Sequence, residues 1–99
     1  MSKKAYIIVF ATIHDREKFV SNYAPEAAKL TEKFGGKYLI RAPGGIPLEG
    51  MASSNPSVVI SEWSDNVAAE KFWYSKEYSE VKRSREGIAD CKVLLIESD

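Results

Sequence analysis

The sequence is poor in the residues that build disulfides and zinc sites. Its 99 residues include one cysteine, Cys91, and one histidine, His14. A single cysteine excludes a disulfide within the chain and a metal site built from several cysteines. We therefore expect a protein of the reducing cytoplasm, and we expect it to hold no metal ion.

Net charge and long apolar runs are also missing. The chain carries 14 basic and 14 acidic residues, so no overall field attracts it to nucleic acid or to an anionic membrane. An apolar run at positions 5–13 is too short for a membrane-spanning helix of about 20 residues and lacks the cleavage site of a signal peptide. We predict no nucleic-acid or membrane partner, and we interpret the run as a strand.

What is present is the pattern of one small α+β domain covering residues 1–99. Four segments rich in β-branched and other apolar residues are typical of strands. They lie at 5–13, 37–42, 58–63 and 92–97. The connection from Pro43 to Pro56 is rich in glycine, proline and serine, and we interpret it either as a lid or as a plain hairpin loop.

The segment between the first two strands has the spacing of an amphipathic helix. Apolar residues recur every three or four positions from Phe19 to Phe34. Asp15 is positioned to cap this helix, and the glycine pair beginning at Gly35 ends it. Pro25 lies inside the pattern and removes one backbone donor, so we expect a kink or a short break there.

Two further helical segments precede the last strand. Either Ser64 or Asp65 can cap the first of them, and Ser75 can cap the second, which runs through Arg85 and ends at Gly87. The order strand, helix, strand, strand, helix, strand is that of the ferredoxin-like fold with a four-stranded antiparallel sheet. RNA-recognition domains share this order, but the third strand here lacks the glycine-aromatic-basic pattern of that module.

Both faces of the predicted sheet carry apolar side chains. In the first strand Ile7 and Val9 point to one face, while Tyr6, Ile8 and Phe10 point to the other. A lone domain of this fold covers one face with helices and exposes the other, which is then expected to be polar. Exposing several large apolar side chains forgoes about 1.5–3 kcal/mol each. We predict a homodimer that covers this face; the alternative is a sheet covered by its own loops.

Five parts of the sequence together resemble a known bacterial family. They are GGKYLIR at 35–41, LEG at 48–50, VVISEW at 58–63, WYSKEY at 73–78, and Arg85. In this order they resemble the family called domain of unknown function 1330, and the tryptophan-tyrosine-serine element is the most specific part. The resemblance implies a dimeric α/β barrel, in agreement with the strand pattern, and it implies no known reaction.

Aromatic and basic residues are the candidates for a ligand site. Trp73, Tyr74 and Tyr78 can form the walls of a small-molecule cleft, because flat rings offer a large apolar area and a phenol can form hydrogen bonds. Arg41 and Arg85 can anchor an anion through their forked donors. The alternatives are ordinary core packing for the aromatic residues and surface salt bridges for the arginines.

Glu62 and His14 are the candidate catalytic groups. Strict alternation places Arg41 on the same strand face as Leu39, and Glu62 is then its candidate ion-pair partner or, if desolvated, a general base. His14 follows the first strand and can act as an acid or base near neutral pH; the alternative is an exposed loop histidine. Cys91 opens a strand, where burial is expected rather than activation.

No cofactor motif is present, because the glycine-rich loop lacks the spacing of a P-loop and of a dinucleotide fingerprint. Without a cofactor, we interpret the chain as a small-molecule-binding protein that is either a binder or a cofactor-independent enzyme. Its ligand or substrate is then a small organic metabolite, for which the arginines favour an anion. The alternative is a non-catalytic binding or assembly module whose aromatic residues serve the core and the dimer interface.

Overall fold

The computed structural model describes residues 3–51 and 55–98. Within these two ranges, four strands, four short α-helices and one π-helical turn follow one another in the order predicted for a ferredoxin-like α+β fold. They are β1 (Ala5–Ile13), α1 (Arg16–Lys18), the π-helical turn (Phe19–Tyr23), α2 (Ala24–Lys33), β2 (Lys37–Ala42), β3 (Ser57–Trp63), α3 (Asn66–Trp73), α4 (Lys76–Arg83) and β4 (Ala89–Glu97). Within the described residues, no helix combines the length and apolarity needed to cross a membrane.

The strands form one antiparallel sheet in the order β2-β3-β1-β4. The bounds predicted for β1 and β2 are confirmed, and β3 begins one residue earlier than predicted. The prediction for β4 was wrong at its start, because β4 begins at Ala89. It pairs with β1 along the whole length of that strand, as far as Ile13 opposite Ala89, and this pairing extends it through polar residues. Cys91 is therefore inside the strand.

Side chains cap three helices as the sequence predicts. The Asp15 carboxylate accepts from the Lys18 backbone N–H at 3.1 Å, and the Asp65 carboxylate accepts from that of Ala68 at 2.8 Å. Ser75 Oγ accepts from the backbone N–H of Tyr78 at 3.0 Å. Each such cap contributes about 1 kcal/mol, because it satisfies a first-turn donor that has no partner within the helix.

The break expected near Pro25 is a widened helical turn. Pro25 has no N–H, so the usual bond to the carbonyl of Ser21 cannot form. The backbone N–H of Ala24 instead reaches back five residues to the carbonyl of Phe19. The π-helical turn therefore joins α1 to α2, and turns of this kind occur often at functional sites.

One end of the helix-covered sheet face is tightly packed around Trp63, which is 1 % exposed. Its ring stacks on Phe72 with the centroids 4.8 Å apart, and its indole N–H donates to Ser61 Oγ at 2.9 Å. A Cβ added to Gly36 would lie 2.5 Å from the Trp63 ring. Only glycine fits at that position without displacing the ring, which explains the second residue of the glycine pair.

A bulge in β2 changes which face Arg41 lies on. The register against β3 shifts between Tyr38 and Ile40, so Leu39 has no partner across the ladder. Tyr38 and Arg41 consequently lie on the helix-covered face, and the expectation that Arg41 shares a face with Leu39 was wrong. A bulge inserts one residue and thereby inverts the alternation beyond it. Part of the Pro43 to Pro56 connection, residues 52–54, lies outside the described residues.

The open sheet face carries apolar side chains, as the sequence predicts. Pairing across all four strands aligns Ile40, Ile60, Ile8 and Leu94 in one row. Leu94 is 53 % exposed and Ile40 is 47 % exposed, although both are large aliphatic residues at the centre of their strands. An exposed apolar row of this kind marks an interaction surface rather than an ordinary wet face.

Candidate functional site

A cavity of about 250 Å³ lies between the helix-covered face of the sheet and the helices. Most of its lining is apolar or aromatic, and several of the strand residues beneath it are small. The residues that line it include Ala11, Arg16, Phe19, Val20, Tyr23, Thr31, Tyr38, Arg41, Ser57, Ser61, Trp73, Tyr78, Arg85 and Cys91. The volume lies just under the range of about 300–1,000 Å³ of clefts for drug-sized ligands, so this cavity suits a smaller molecule.

Positive charge dominates the lining of this cavity. Three arginines, Arg16, Arg41 and Arg85, line it, and no aspartate or glutamate is among the described residues that do so. None of the three forms a salt bridge to a carboxylate within residues 3–51 and 55–98. The chain has equal numbers of acidic and basic residues, so this concentration of unpaired guanidinium groups is local and favours a negatively charged ligand.

The three arginines differ in how their donors are used. Arg16 Nη2 donates to the Pro43 carbonyl at 3.3 Å and to Ser57 Oγ at 3.2 Å. The Arg41 guanidinium is exposed and lies 4.9 Å from the centroid of the Tyr38 ring. Water can therefore solvate Arg41, while the protein itself satisfies part of Arg16.

Arg85 carries the unmet hydrogen-bonding capacity of the cavity. Its guanidinium lies 5.3 Å from the centroid of the Tyr23 ring, and its Nη1 is buried without a hydrogen-bond partner. A buried donor left unpaired costs about 1–3 kcal/mol, and more when it is charged. The backbone of Arg85 is held in the turn after α4, where its carbonyl accepts from Ile88 and Ala89. The predicted helix through Arg85 thus ends at Arg83.

Two tyrosines form a hydrogen-bonded pair beside Arg85. The hydroxyl oxygens of Tyr23 and Tyr78 are 2.5 Å apart. Burial is the largest cause that raises the pKa of Tyr23 and of Tyr78 above the ordinary phenol value, against a smaller opposing effect of the Arg85 charge. Both side chains are therefore neutral phenols at pH 7. One donates to the other, and the second proton of the pair is free to donate to a ligand.

Cys91 lies at the same end of the cavity and is not activated. Burial raises the pKa of the Cys91 thiol, and the nearby Arg85 charge opposes this increase without overcoming it. The thiol stays protonated at neutral pH, as expected for a cysteine inside a strand, and a protonated thiol is a weak nucleophile.

The structure brings together four of the five predicted ligand-binding residues. Arg41, Trp73, Tyr78 and Arg85 line the cavity, and the Trp73 and Tyr78 ring centroids are 5.2 Å apart. Tyr74 does not line it, because it follows α3 and is 76 % exposed. Adjacent residues at a helix end point in different directions, so Trp73 turns inward while Tyr74 turns outward.

The two predicted catalytic residues lie away from the cavity. Glu62 is on the open sheet face, where its carboxylate accepts from Lys4 Nζ at 3.2 Å and from the Tyr6 hydroxyl at 3.3 Å. The expected ion pair between Glu62 and Arg41 was wrong, since the two lie on opposite faces. His14 follows β1, is exposed, and has its Nε2 2.8 Å from Asp90 Oδ2.

Four polar residues that line the cavity, Arg16, Tyr23, Thr31 and Tyr38, were not predicted as site residues from the sequence. In the sequence, Tyr23 lies on the apolar helix stripe that begins at Phe19, and its hydroxyl is the only signal of another role. Arg16 carried no signal beyond its place in the first helical turn. Tyr38 and Thr31 have their hydroxyl oxygens 3.3 Å apart, a contact that depends on the tertiary fold. Among residues 3–51 and 55–98, no group of three or more His, Cys, Asp or Glu side chains could hold a metal ion.

Similarity to known proteins extends over nearly the whole chain. Residues 4–99 match the model of a family described as a domain of unknown function (DUF1330). The fold is shared with a protein of unknown function, RPA0582 from Rhodopseudomonas palustris, with a TM-score of 0.78 and 15% identity over 100% of this chain and 85% of that one. No curated protein matches the sequence.

Two further solved structures share the fold at low identity. SnoaB from Streptomyces nogalater, described as a cofactor-independent oxygenase, has a TM-score of 0.71 and 15% identity over 99% of this chain and 95% of its own. A protein from Bacteroides fragilis, described as dimeric and ferredoxin-like, has a TM-score of 0.62 and 12% identity over 95% of both chains. At these identities the comparison establishes the fold alone.

Proposed function

The chain belongs to the DUF1330 family, and from this premise we propose that it is a homodimeric protein that binds a small organic anion in the cavity between sheet and helices. The observation that carries the proposal is the apolar cavity lined by three arginines and no carboxylate among the described residues. Arg41, Trp73, Tyr78 and Arg85 are its proposed ligand-binding residues, and Tyr23 joins them.

Energetic reasons support a ligand in this cavity. An apolar cavity forgoes the contacts that would otherwise fill it, and the buried Nη1 of Arg85 has no partner. An anion with an apolar body offsets both costs at once, because its charged group pairs with the guanidinium and its body fills the space. An apolar molecule without a charged group, or an inorganic ion without an apolar body, offsets only one of these two costs.

Binding can be tested by protein NMR with a panel of single-ring organic acids, amines and neutral compounds. We expect the acids to shift the backbone amide signals of cavity residues such as Ala11 and Ser57 in a saturable manner. A ligand at one hundred times its Kd also raises the free energy of unfolding by about 2.7 kcal/mol. Saturable shifts confined to surface residues, or none with any compound, would contradict the proposal.

The homodimer is supported by the open sheet face. The row formed by Ile8, Ile40, Ile60 and Leu94 needs a cover, and an apolar face of the same kind on a second copy is self-complementary. Two structural neighbours are described as dimeric and ferredoxin-like. These observations favour a second copy of this chain over another partner.

The dimer can be broken at Leu94. We expect multi-angle light scattering at micromolar concentration to give the mass of two chains for the natural protein and of one chain for Leu94→Lys, because the dimer symmetry introduces the buried charge twice. Val67→Lys is the matched control, since Val67 is an exposed aliphatic residue on α3. A monomer mass for the natural protein, or dissociation by both variants, would rule out this interface.

Cofactor-independent catalysis is a second candidate function, and the neutral phenol pair beside Arg85 favours it. Such a pair can donate a proton to an oxyanion while the guanidinium stabilises the negative charge. SnoaB, which shares the fold, is described as a cofactor-independent oxygenase. His14 and Glu62 lie away from the cavity, so this candidate assigns them no step.

A proton-exchange experiment separates an enzyme from a non-catalytic binding module. Acids from the NMR panel that bind and carry a hydrogen next to a ketone carbonyl are incubated with the protein in D₂O. Solvent removes this hydrogen as a proton, the phenol pair donates to the resulting enolate oxygen, and loss of the hydrogen signal is followed. Exchange faster than in buffer, and slower in the Tyr23→Phe variant, supports catalysis by the pair. Exchange at the buffer rate for every acid that binds supports the binding module.

A further inference from the structure

Arg85 and the Tyr23–Tyr78 pair form one polar region in an otherwise apolar and aromatic part of the cavity. The guanidinium lies over the ring of Tyr23, whose hydroxyl is bonded to that of Tyr78. This region offers a charged N–H donor at Nη1 and the free proton of the phenol pair. Two adjacent donors match the two oxygens of one carboxylate.

The number of unpaired buried charges limits the charge of the ligand. Arg16 already donates to Pro43 and Ser57, and Arg41 is exposed to water. Among the described residues that line the cavity, only Arg85 has a buried donor that lacks a partner. A second anionic group could pair only with Arg16, whose donors the protein partly satisfies, or with Arg41, which water solvates, so the cost of desolvating that group would be poorly offset.

The remaining space limits the size of the ligand. A volume of about 250 Å³ equals that of roughly eight molecules of liquid water, which accommodates a single ring and its acid group. The rings of Phe19 and Trp73, together with Val20, line this space and can contact an apolar planar body. Val20 is 54 % exposed, so the cavity reaches the surface beside the π-helical turn.

We infer that the ligand is a monocarboxylic acid with a small apolar body, whose carboxylate binds between Arg85 Nη1 and the free hydroxyl proton of the Tyr23–Tyr78 pair. The neutral state of both phenols supports this orientation, since a phenolate would repel the carboxylate. This inference rests on the proposed binding function and specifies its ligand class and its anchor.

The test uses benzoate, its neutral analogue benzamide and the dianion phthalate as probes, with isothermal titration calorimetry on the full chain at pH 7. We expect benzoate to bind at least tenfold more tightly than benzamide, and phthalate to bind more weakly than benzoate. Tighter binding of phthalate, or equal binding of benzamide, would overturn the inference. If neither these probes nor any compound of the NMR panel binds, both this inference and the proposed binding function are contradicted.

Variants locate the anchor within the cavity. Arg85→Gln should weaken benzoate binding at least tenfold and leave benzamide binding within about threefold, while Arg83→Gln, the matched control at an exposed arginine of α4 that does not line the cavity, should change benzoate binding less than threefold. Arg85→Lys keeps the positive charge and provides a second variant in case Arg85→Gln does not fold. We expect Arg85→Lys to bind benzoate more weakly than the natural protein but more tightly than Arg85→Gln. Equal losses in Arg83→Gln and Arg85→Gln would mean that the carboxylate has no specific anchor at Arg85 and would contradict the inference.

Discussion

The two faces of the sheet are built in opposite ways. Beneath the helices, where a small domain usually places its bulkiest side chains, the strands carry small residues such as Ala11, Ser57 and Ser61, and a cavity remains. On the other face, which helices do not cover, large aliphatic residues such as Ile60 and Leu94 form a continuous row. The covered face thus gives up packing that would stabilise the chain, and the open face keeps apolar area that a lone domain would not need.

The covered face is itself divided. At one end Ala5 lies opposite Trp63 in a tightly packed cluster, and at the other end Ala11 lies opposite Ser57 beneath the cavity. Both alanines are buried on the same strand and the same face. The division indicates that stability is concentrated at the Trp63 end, which leaves the other end free to hold a molecule.

The largest effect is expected from the two tryptophans, of which one is fully buried in the core cluster and the other borders the cavity. Trp63→Ala removes a fully buried ring and should lower the free energy of unfolding by about 3–5 kcal/mol. Trp73→Ala should cost less, because Trp73 is only half-buried and borders the cavity. Urea unfolding of both variants measures the difference. Equal losses would mean that the cavity wall is packed as tightly as the Trp63 cluster.

A smaller effect is expected from enlarging the two alanines of β1. Ala5→Leu adds bulk beside Trp63, where no space exists, and should destabilise the protein by about 1–3 kcal/mol. Ala11→Leu adds the same bulk toward the cavity and should change the stability by less than about 1 kcal/mol, since the added methyl groups gain contacts.

The same pair of variants links packing to binding. Ala11→Leu should abolish the saturable NMR shifts caused by single-ring acids, because its side chain occupies the ligand space. Ala5→Leu should retain those shifts at temperatures where it is folded. Strong destabilisation by Ala11→Leu, or ligand binding that survives it, would show that the space above Ala11 is not the binding site.

The elements of this fold could be predicted from the sequence because their signals are local. Asp15, Asp65 and Ser75 each lie at the start of a helix and accept from an N–H three residues later. The strands carry β-branched residues in short runs. The start of β4 could not be predicted, since Ala89 and Asp90 are extended only through their pairing with β1.

The candidate site was less predictable, because its residues are assembled by tertiary contacts. Arg85 and Tyr78 were found as polar residues that share one helical stretch. Arg41 was assigned to the wrong face, since nothing in the segment around Leu39 reveals a bulge whose register depends on β3. Tyr23 was missed because a tyrosine on an apolar helix stripe is typical of a core residue. Its role depends on the hydrogen bond between its hydroxyl and that of Tyr78, which only the structure shows.

The smallest effect at neutral pH is expected from the phenol pair at the cavity end. Tyr23→Phe removes one hydrogen bond and should lower the free energy of unfolding by about 0.5–1.5 kcal/mol. The pH dependence of the free energy of unfolding is more informative than this loss. The folded state raises the pKa of Tyr23 and Tyr78, so it holds phenol protons that the unfolded chain releases above its own pKa near 10. Stability is therefore unaffected by these groups below pH 10 and falls as the pH rises beyond it.

Each retained proton steepens that fall by about 1.4 kcal/mol per pH unit. The natural protein should thus lose stability above pH 10 more steeply than Tyr23→Phe, by the contribution of one proton. Tyr74→Phe is the matched control, because the Tyr74 side chain is exposed and does not line the cavity. Urea unfolding between pH 9 and 11.5 measures the slopes. If the free energy of unfolding falls with pH equally steeply in Tyr23→Phe, Tyr74→Phe and the natural protein, the phenols at the cavity end are solvated. That result would contradict the contrast between a dry cavity end and a wet surface.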